Sequence, residues 1–296
     1  MEVTPEAHGV NAIKAMLDSI GLKPSKSKGQ NFLVDPNITE KIVRLAGVDK
    51  TAGVLEIGPG AGALTQRLCQ TAGKVVAVEI DGRLCAMLEG AFSATDNLEI
   101  IRGDILKIDI AALATERFKG FRPLVCANLP YAVTTPVLTR LIDTGGFKSI
   151  TVMVQREVAQ RICAPPGSRE YGALTVFANY HTEPVNLFNI PPECFYPKPK
   201  VHSSVIMLEI KPEKAVAAEL EPILFRAVRA AFNQRRKTLV NALASAFSPG
   251  IGKQELAGIV SGCGFSANVR GEELAIGDFA ALARALGALD KTPATI

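Results

Sequence analysis

A short run of polar and aromatic residues, Asn128-Leu129-Pro130-Tyr131, directly follows an apolar stretch at residues 122–127. These residue types can hold an amine, because the Asn128 side-chain oxygen and the Leu129 carbonyl can each accept one N–H bond. Tyr131 offers a flat face for stacking a base, and Pro130, which has no N–H, fixes a turn that can aim the carbonyl inward. Taken alone, the four residues fit equally well a turn that ends a strand and carries a core tyrosine.

A glycine-rich turn lies upstream, in Glu-Ile-Gly-Pro-Gly-Ala-Gly at residues 56–62. It follows an apolar stretch and precedes a helical one, and without Cβ atoms its backbone can approach a ligand closely. A dinucleotide and S-adenosylmethionine compete as ligands, because Gly58, Gly60 and Ala63 also satisfy the dinucleotide fingerprint Gly-x-Gly-x-x-Gly/Ala. A tight strand-to-helix turn without a ligand is the third alternative.

Two carboxylates follow the next two predicted strands. Glu79 ends the second strand, where it can accept hydrogen bonds from both ribose hydroxyls, and either ligand contains a ribose. Asp104 ends the third strand and can accept a hydrogen bond from an adenine amino group. Ligands of doubly wound folds bind at the carboxyl ends of the strands, where Gly58 and Asn128 also fall. We therefore expect these four residues to line one site.

A sulfonium methyl group placed near the end of the fourth strand would make the reaction an in-line displacement, which needs an oriented nucleophile. An adenine amine is a poor nucleophile, because its lone pair is delocalised into the ring. Acceptance of both its N–H bonds by Asn128 and Leu129 favours the sp³ geometry that localises the pair. No strong general base is needed, since the methylated amine becomes acidic and can lose its proton afterwards.

Alternating apolar and helical stretches predict the scaffold that positions these residues. A parallel sheet with helices on both faces, a doubly wound α/β domain, is predicted from helical segments between strands at residues 54–57, 75–80, 98–101, 123–127 and 150–154. A helix is predicted at residues 35–46, with Asp35 as its N-cap and Pro36 at its first position.

The pattern changes after about residue 180. Strands at residues 185–190 and 202–210, joined by a proline-rich loop, are expected to pair antiparallel at the edge of the sheet. From residue 212 onward the chain is predicted to be helical. We therefore expect a first domain over residues 1–211 and a small all-helical C-terminal domain over residues 212–296.

Composition limits the classes of function. Of the 296 residues, 48% are hydrophobic and 21% are charged, which is typical of a globular protein with a sizeable core. No apolar run is long enough to span a bilayer, and the N-terminal residues do not resemble a secretory signal. The six cysteines are scattered without a Cys-x-x-Cys pair, and the three histidines are far apart. We expect a cytoplasmic monomer with free thiols, without a metal and without a membrane partner.

Basic residues are concentrated in two stretches of a chain whose net charge is +4. Residues 23–30 contain three lysines and residues 226–237 five basic side chains, and neither stretch contains an acid. Most charge runs are solvated surfaces, but the presence of two in one mildly basic chain raises the odds of a polyanionic partner. At helical spacing Arg235 falls on the apolar side, so either the helix ends near residues 233–234 or Arg235 has a structural partner.

Together these motifs resemble the ribosomal RNA adenine N6-dimethyltransferases, and most closely the branch that modifies the small ribosomal subunit. The similarity extends over about residues 20–290. It rests on the order and spacing of Gly-Gln-Asn-Phe-Leu at 29–33, the turn at 56–62, Glu79, Gly103-Asp104, Asn128 to Tyr131, Phe-Tyr-Pro-Lys-Pro-Lys-Val at 195–201 and Phe-Asn-Gln-Arg-Arg-Lys-Thr-Leu at 232–239.

The resemblance implies a Rossmann-like class I methyltransferase that uses S-adenosylmethionine and no metal. Its methyl groups would go to two adjacent adenosines near the 3′ end of 16S rRNA, two to each, in the immature small subunit. Donor-binding residues would be Asn31, Leu33, Gly58, Gly60, Glu79, Asp104, Ile105 and Asn128. Residues that hold the target base would be Asn128, Leu129, Tyr131 and Phe195. RNA contacts are expected from Lys26, Lys28, Lys198, Lys200, Arg229, Arg236 and Lys237.

Three other functions remain as alternatives. A methyltransferase of the antibiotic-resistance type would act on large-subunit rRNA, but such relatives usually have Ile where this chain has Leu129, and a smaller helical tail. A non-catalytic ribosome assembly factor would not need an intact Asn128-Leu129-Pro130-Tyr131. An NAD-dependent oxidoreductase would need a His or Lys proton donor near a strand end, and none is evident.

Overall fold

The computed structural model describes residues 9–24 and 30–289, so that Lys26 and Lys28, two predicted RNA contacts, lie outside the described residues. The chain divides into two compact units. The first contains the described residues up to Ala159 together with Glu183–Ile210, and the second contains Gln160–Thr182 together with the described residues from Lys211 onward. The division into domains at residue 211 stays a prediction, which did not anticipate that residues 160–182 belong with the helical unit.

The described residues form nine strands and twelve α-helices. The strands are β1 (Phe32–Leu33), β2 (Ala52–Ile57), β3 (Lys74–Glu79), β4 (Leu98–Arg102), β5 (Arg122–Asn128), β6 (Ser149–Gln155), β7 (Thr182–Ile190), β8 (Phe195–Tyr196) and β9 (Ser203–Ile210). The helices are α1 (Val10–Ser19), α2 (Pro36–Leu45), α3 (Ala63–Thr71), α4 (Gly82–Ala91), α5 (Ile110–Arg117), α6 (Thr134–Thr144), α7 (Arg156–Ile162), α8 (Ala173–His181), α9 (Glu221–Asn233), α10 (Leu239–Phe247), α11 (Lys253–Gly262) and α12 (Ile276–Gly287).

A seven-stranded sheet with the order β4-β3-β2-β5-β6-β9-β7 organises the first unit. The five strands β4, β3, β2, β5 and β6 run parallel to one another, whereas β9 is antiparallel to β6. All six residues of β2 are buried, as expected for a strand covered on both faces. The predicted doubly wound α/β sheet with an antiparallel edge is confirmed.

The strand order changes direction at β2, which pairs with both β3 and β5. Such a switch point leaves a crevice beyond the carboxyl ends of the two central strands, because their connections leave on opposite sides. The glycine-rich turn follows β2, and Asn128 is the last residue of β5. The topology therefore brings these two motifs together.

Two local predictions outside the sheet had different outcomes. The N-cap of α2 is confirmed, since the Asp35 carboxylate accepts a hydrogen bond of 2.9 Å from the Asn37 backbone N–H and Pro36 is the first helical residue. The proline-rich connection, predicted as a loop, contains the short strand β8, which pairs antiparallel with β1. That pairing joins residues more than 160 positions apart and has no signal in either local sequence.

The second unit is helical, with a core that includes Leu224, Val228, Leu243, Phe247 and Phe279. Of the two alternatives for the basic stretch, the end of the helix near residues 233–234 is confirmed, because α9 ends at Asn233. Arg235 lies beyond the end of this helix and forms an ion pair with Glu272, Nη2 to Oε2 at 2.9 Å. Arg226, the first basic residue of that stretch, donates to the Ala246 carbonyl at 2.6 Å.

Two structural observations bear on the expected absence of a membrane and of a metal. Among residues 9–24 and 30–289, no helix is both long and apolar enough to cross a membrane. Within the same ranges, no cluster of three or more His, Cys, Asp or Glu residues is arranged to hold a metal ion.

Candidate active site

The glycine-rich turn between β2 and α3 depends on three left-handed glycines. Gly58, Gly60 and Gly62 have φ angles of +66°, +58° and +84°, which L side chains rarely adopt. A Cβ on Gly60 would lie 3.1 Å from the Phe32 ring, and one on Gly58 would lie 3.6 Å from Pro130. The turn therefore lies directly against both the N-terminal segment and the predicted target-binding motif.

Glu79 ends β3 with its carboxylate held by the backbone. Oε1 accepts hydrogen bonds from the Ile80 and Asp81 N–H groups, both at 2.9 Å, and Oε2 accepts one from Gly60 N–H at 3.3 Å. Burial raises the pKa of Glu79, and the three backbone donors oppose that shift. The carboxylate is thus fixed in orientation at the rim of the glycine-rich turn.

Asp104 and Ile105 lie in the turn that follows β4. The Asp104 carboxylate accepts a hydrogen bond of 3.0 Å from Leu106 N–H, and its backbone carbonyl accepts one of 2.8 Å from Lys107 N–H. Ile105 is buried, whereas Asp104 is half-buried. The segment is therefore a compact turn that presents a carboxylate beside a buried apolar side chain.

Asn128 and Tyr131 are both held by long-range hydrogen bonds. The Asn128 Nδ2 donates to the Asn31 backbone carbonyl at 3.2 Å, so its Oδ1 remains the side-chain atom that can accept an N–H. The Tyr131 hydroxyl lies 2.6 Å from Ser203 Oγ of β9. Burial raises the pKa of Tyr131, and the Ser203 contact opposes that shift.

One cavity of about 580 Å³ joins these elements. It is lined by ten of the predicted residues, namely Asn31, Leu33, Gly58, Gly60, Glu79, Asp104, Ile105, Asn128, Leu129 and Tyr131. All of them belong to the first unit. Carboxylates, backbone donors and an amide oxygen thus converge on one space whose volume is typical of small-molecule sites.

Phe195 does not line this cavity. It is only 2% exposed, pairs with Leu33 across the β1–β8 ladder and packs in the hydrophobic core of the first unit. Within the described residues, its ring makes no stacking contact with Tyr131. Its predicted role as a second stacking face stays a prediction.

The basic residues predicted to contact RNA are exposed where the structure describes them. Lys198 pairs with Glu193, Nζ to Oε1 at 2.5 Å, and this contact lowers the pKa of Glu193. The other four described members of the set, also exposed, are Lys200, Arg229, Arg236 and Lys237. Exposure leaves these side chains accessible to a polyanion, and none of them lines the cavity.

Glu56 is a cavity residue to which the sequence assigned no role of its own. It lies in β2, lines the cavity and is 1% exposed. Burial raises its pKa to about 8, and its Oε2 has no hydrogen-bond partner among the described residues. The available signal was an acid within an otherwise apolar strand, just before the glycines. Ser203, which holds Tyr131, had no comparable signal.

S-adenosylmethionine fits this donor set. The glycine-rich turn exposes backbone to the cavity, and a Cβ on Gly60 would press on the Phe32 ring. Two strand-end carboxylates, Glu79 and Asp104, line the same cavity and suit a ribose and an adenine amine. The orphaned Oε2 of Glu56 provides a further buried acceptor for a polar ligand group.

Comparison with known proteins places the chain in a family. A model of the family described as ribosomal RNA adenine dimethylase matches residues 21–268. A protein of Moorella thermoacetica named ribosomal RNA small subunit methyltransferase A is 45% identical over 279 residues, covering 92% of this chain and 96% of the relative. A protein of the same name from Shouchella clausii is 46% identical over 274 residues, covering 92% and 93%.

Solved structures agree with this placement. A dimethyladenosine transferase from Plasmodium falciparum superposes with a TM-score of 0.71 at 26% identity, covering 84% of this chain and 95% of the other. The 23S rRNA methyltransferase ErmE superposes with a TM-score of 0.68 at 21% identity, covering 86% and 99%, and shows the shared fold alone. The chain therefore belongs to the ribosomal RNA adenine dimethylase family and is an S-adenosylmethionine-dependent rRNA methyltransferase.

Proposed function

We propose that this chain transfers two methyl groups to N6 of each of two adjacent adenosines near the 3′ end of 16S rRNA, during assembly of the small ribosomal subunit. One observation carries the proposal: the strand-end acids and the Asn128-Leu129-Pro130-Tyr131 motif line the same cavity, at the carboxyl ends of the strands. The choice of subunit is supported by the names of relatives that are 45% and 46% identical over almost their full lengths.

The donor-binding roles follow from the chemistry of the lining residues. S-adenosylmethionine supplies the methyl group as a sulfonium when it is bound. Glu79, oriented by three backbone N–H groups, accepts the ribose hydroxyls, and Asp104 accepts the adenine amine. Gly58 and Gly60 let the backbone approach, and Ile105 packs against the base. Asn31, Leu33 and Asn128 complete the donor side of the cavity.

The target adenine lies at the Asn128 end of the cavity in this proposal. Asn128 Oδ1 and the Leu129 carbonyl accept the two N–H bonds of the adenine amine and favour its nucleophilic geometry. The Tyr131 ring, tied to Ser203, carries one face of the base. Phe195 covers the other face, and this role requires the ring, buried in this structure, to become exposed when RNA binds.

The RNA partner is held by exposed basic side chains. Lys198, Lys200, Arg229, Arg236 and Lys237 contact phosphates, which contributes affinity that depends on salt and little on sequence. Lys26 and Lys28 are proposed for the same role on the basis of their sequence alone. The partner is an immature small subunit in the cytoplasm, and the chain acts on it as a monomer.

A labelled-methyl assay tests the proposal. The purified protein is incubated with labelled S-adenosylmethionine and, separately, with immature small subunits and with large subunits. We expect label in small-subunit RNA only, as N6,N6-dimethyladenosine at two neighbouring positions after digestion. Label confined to the large subunit would overturn the choice of substrate, and binding to small subunits without label would favour a non-catalytic assembly factor.

A further inference from the structure

An arginine outside the cavity holds the turn that carries Asp104. Arg140 lies on α6 and is half-buried. Its guanidinium donates from Nη1 to the Leu106 carbonyl and from Nη2 to the Ile108 carbonyl, the latter at 2.6 Å. Leu106 itself lines the cavity, whereas Arg140 does not. The two bonds join α6 to the back of the turn at residues 104–108.

The remaining bonds of this turn are internal and local. Asp104 accepts the Leu106 N–H on its carboxylate and the Lys107 and Ile108 N–H groups on its backbone carbonyl. These bonds use three N–H groups of the turn and leave its later carbonyls to other donors. Arg140 supplies donors to two of them from one rigid, planar group, which an ammonium cannot match in geometry.

The same helix begins immediately after the target-binding motif. Thr134, the first residue of α6, donates from its hydroxyl to the Pro130 carbonyl at 3.2 Å. A second link, through Arg140, reaches the Asp104 turn. One helix therefore holds the turn after β4 at one point and the turn after β5 at another.

We propose that Arg140 is a positioning residue that fixes the Asp104 turn and thereby sets the specificity of the donor pocket for adenine. The inference rests on the proposed role of Asp104 as acceptor of the adenine amine. A carboxylate discriminates between an amino group and a carbonyl oxygen only if its distance and angle to that group are held, because hydrogen bonds weaken steeply with misalignment. Arg140 supplies that constraint from outside the cavity.

The first experiment examines the clamp without any ligand. Amide hydrogen exchange is measured in the unliganded protein for Arg140→Gln, Arg140→Lys and the matched control Arg122→Gln. Arg122 also donates to a backbone carbonyl, that of Gly47 at 2.8 Å. It begins β5, which is separated from β4 and its turn by two strands of the sheet. We expect faster exchange at Leu106, Lys107 and Ile108 in Arg140→Gln, a smaller increase in Arg140→Lys and none in Arg122→Gln. Unchanged exchange there would overturn the inference whatever the ligand chemistry.

The second experiment measures discrimination between two product analogues by calorimetry. S-adenosylhomocysteine carries the adenine amine, and S-inosylhomocysteine carries an oxygen in its place. We expect Arg140→Gln to lose about tenfold of the wild-type preference for the amine, the equivalent of one hydrogen bond to a charged group. Arg140→Lys should retain part of the preference, and Arg122→Gln all of it.

The outcomes separate the two proposals. A wild-type protein without any preference would refute the adenine-reading role of Asp104, while faster exchange in Arg140→Gln would still support the clamp. A wild-type preference that Arg140→Gln keeps in full would refute the positioning role. Equal losses of affinity for both analogues in Arg140→Gln would indicate a structural role only and would refute the positioning role. If the Gln variant does not fold, the same measurements are made on Arg140→Lys, which retains a cation and a donor.

Discussion

Two regions of this molecule bury ionisable groups, and they do so in different ways. At the cavity of the first unit, the carboxylates of Glu56 and Glu79 are nearly inaccessible, and burial raises the pKa of both. In the second unit, His181 is 9% exposed, and burial lowers its pKa to about 4. Judged by pKa shift alone, all three groups would be candidates for chemistry.

The surroundings of the three groups separate them. The His181 ring stacks parallel to Phe225 at 5.9 Å and lies 4.7 Å from Phe177, and its Nδ1 is 3.2 Å from Lys214 Nζ. Tyr180 packs edge-on against the His181 ring, and its hydroxyl donates a hydrogen bond to the Glu221 carboxylate. All of these partners are side chains of the second unit, and none of them lines the cavity.

The two acids, by contrast, both line the cavity. Backbone N–H groups orient Glu79, and Glu56 keeps an Oε2 atom without a partner among the described residues. A shifted pKa therefore reports burial in both regions, because desolvation penalises the charged form wherever it occurs. Burial together with a cavity wall is what distinguishes the candidate site.

The largest effect is expected on the pH dependence of the free energy of unfolding, which tests whether Glu56 is uncharged in the folded state. Its pKa, raised from 4.5 to about 8, means that the folded protein binds more protons than the unfolded one between those pH values. Stability from this group is fully present below pH 4.5 and is lost as pH rises to 8. In Glu56→Gln, denaturant unfolding from pH 5 to 8 should therefore lack a loss on the order of 4 kcal/mol that the wild type shows. Parallel curves for the two proteins would contradict the assignment.

The next effect contrasts two asparagines that both donate to a backbone carbonyl. Asn128 does so at the cavity, and Asn179 does so within the second unit, to Thr175 at 2.9 Å. We expect Asn128→Ala to lower methyl transfer by about 10²–10³-fold, the usual cost of removing an aligned acceptor or donor at a reacting group. Asn179→Ala should change thermal stability and leave the rate per folded molecule unaltered. An Asn128→Ala enzyme with full activity would refute the proposed mechanism.

His181 should show the opposite pH dependence to Glu56. Its pKa is lowered from 6.5 to about 4, so the unfolded chain binds more protons between pH 6.5 and pH 4. Stability falls as pH drops through that window, by up to ~3 kcal/mol. His181→Phe keeps a ring against Phe225 and should flatten the acid side of the stability profile, measured by denaturant unfolding. If methyl transfer by folded His181→Phe also collapsed, the cluster would be more than structural.

The smallest effect concerns neighbouring arginines with different surroundings. Arg236 and Lys237 are exposed, whereas Arg235 is paired with Glu272. Arg236→Ala with Lys237→Ala should weaken RNA binding and reduce the slope of log affinity against log salt by about 1 for each side chain. Donor affinity should not change. Arg235→Ala is the matched control, expected to lower stability with little effect on the slope, and an unchanged slope in the double variant would exclude the assignment.

Much of the fold was predictable because it rests on local patterns. Apolar runs predicted the five parallel strands within about two residues of their observed bounds, and the Asp35-Pro36 pair predicted the start of α2. Parallel strands then imply a common edge for the residues at their carboxyl ends. Gly58, Glu79, Asp104 and Asn128 could therefore be assigned to one site before any distance was known.

Features that depend on distant residues could not be predicted. The β1–β8 pair, the hydroxyl of Ser203 against Tyr131 and the Arg140 bonds to the Asp104 turn each join segments that are far apart in the chain. For Arg235, the helical spacing indicated a helix end or a structural partner, but it did not identify that partner as Glu272. None of these partners carries a periodic or motif signal, because one hydrogen bond constrains two positions and leaves their neighbours free.

By itself, then, the sequence determined the order of strands and helices, the glycines that only a left-handed turn requires, and the acids and amide at the strand ends. The tertiary structure decided which groups are held and which are buried: Glu79 is oriented by three N–H groups, Glu56 is buried with its pKa raised, and Phe195 lies in the core. The physical reason is that element type follows from near neighbours, whereas burial and hydrogen-bond pairing follow from what the whole chain packs against each group.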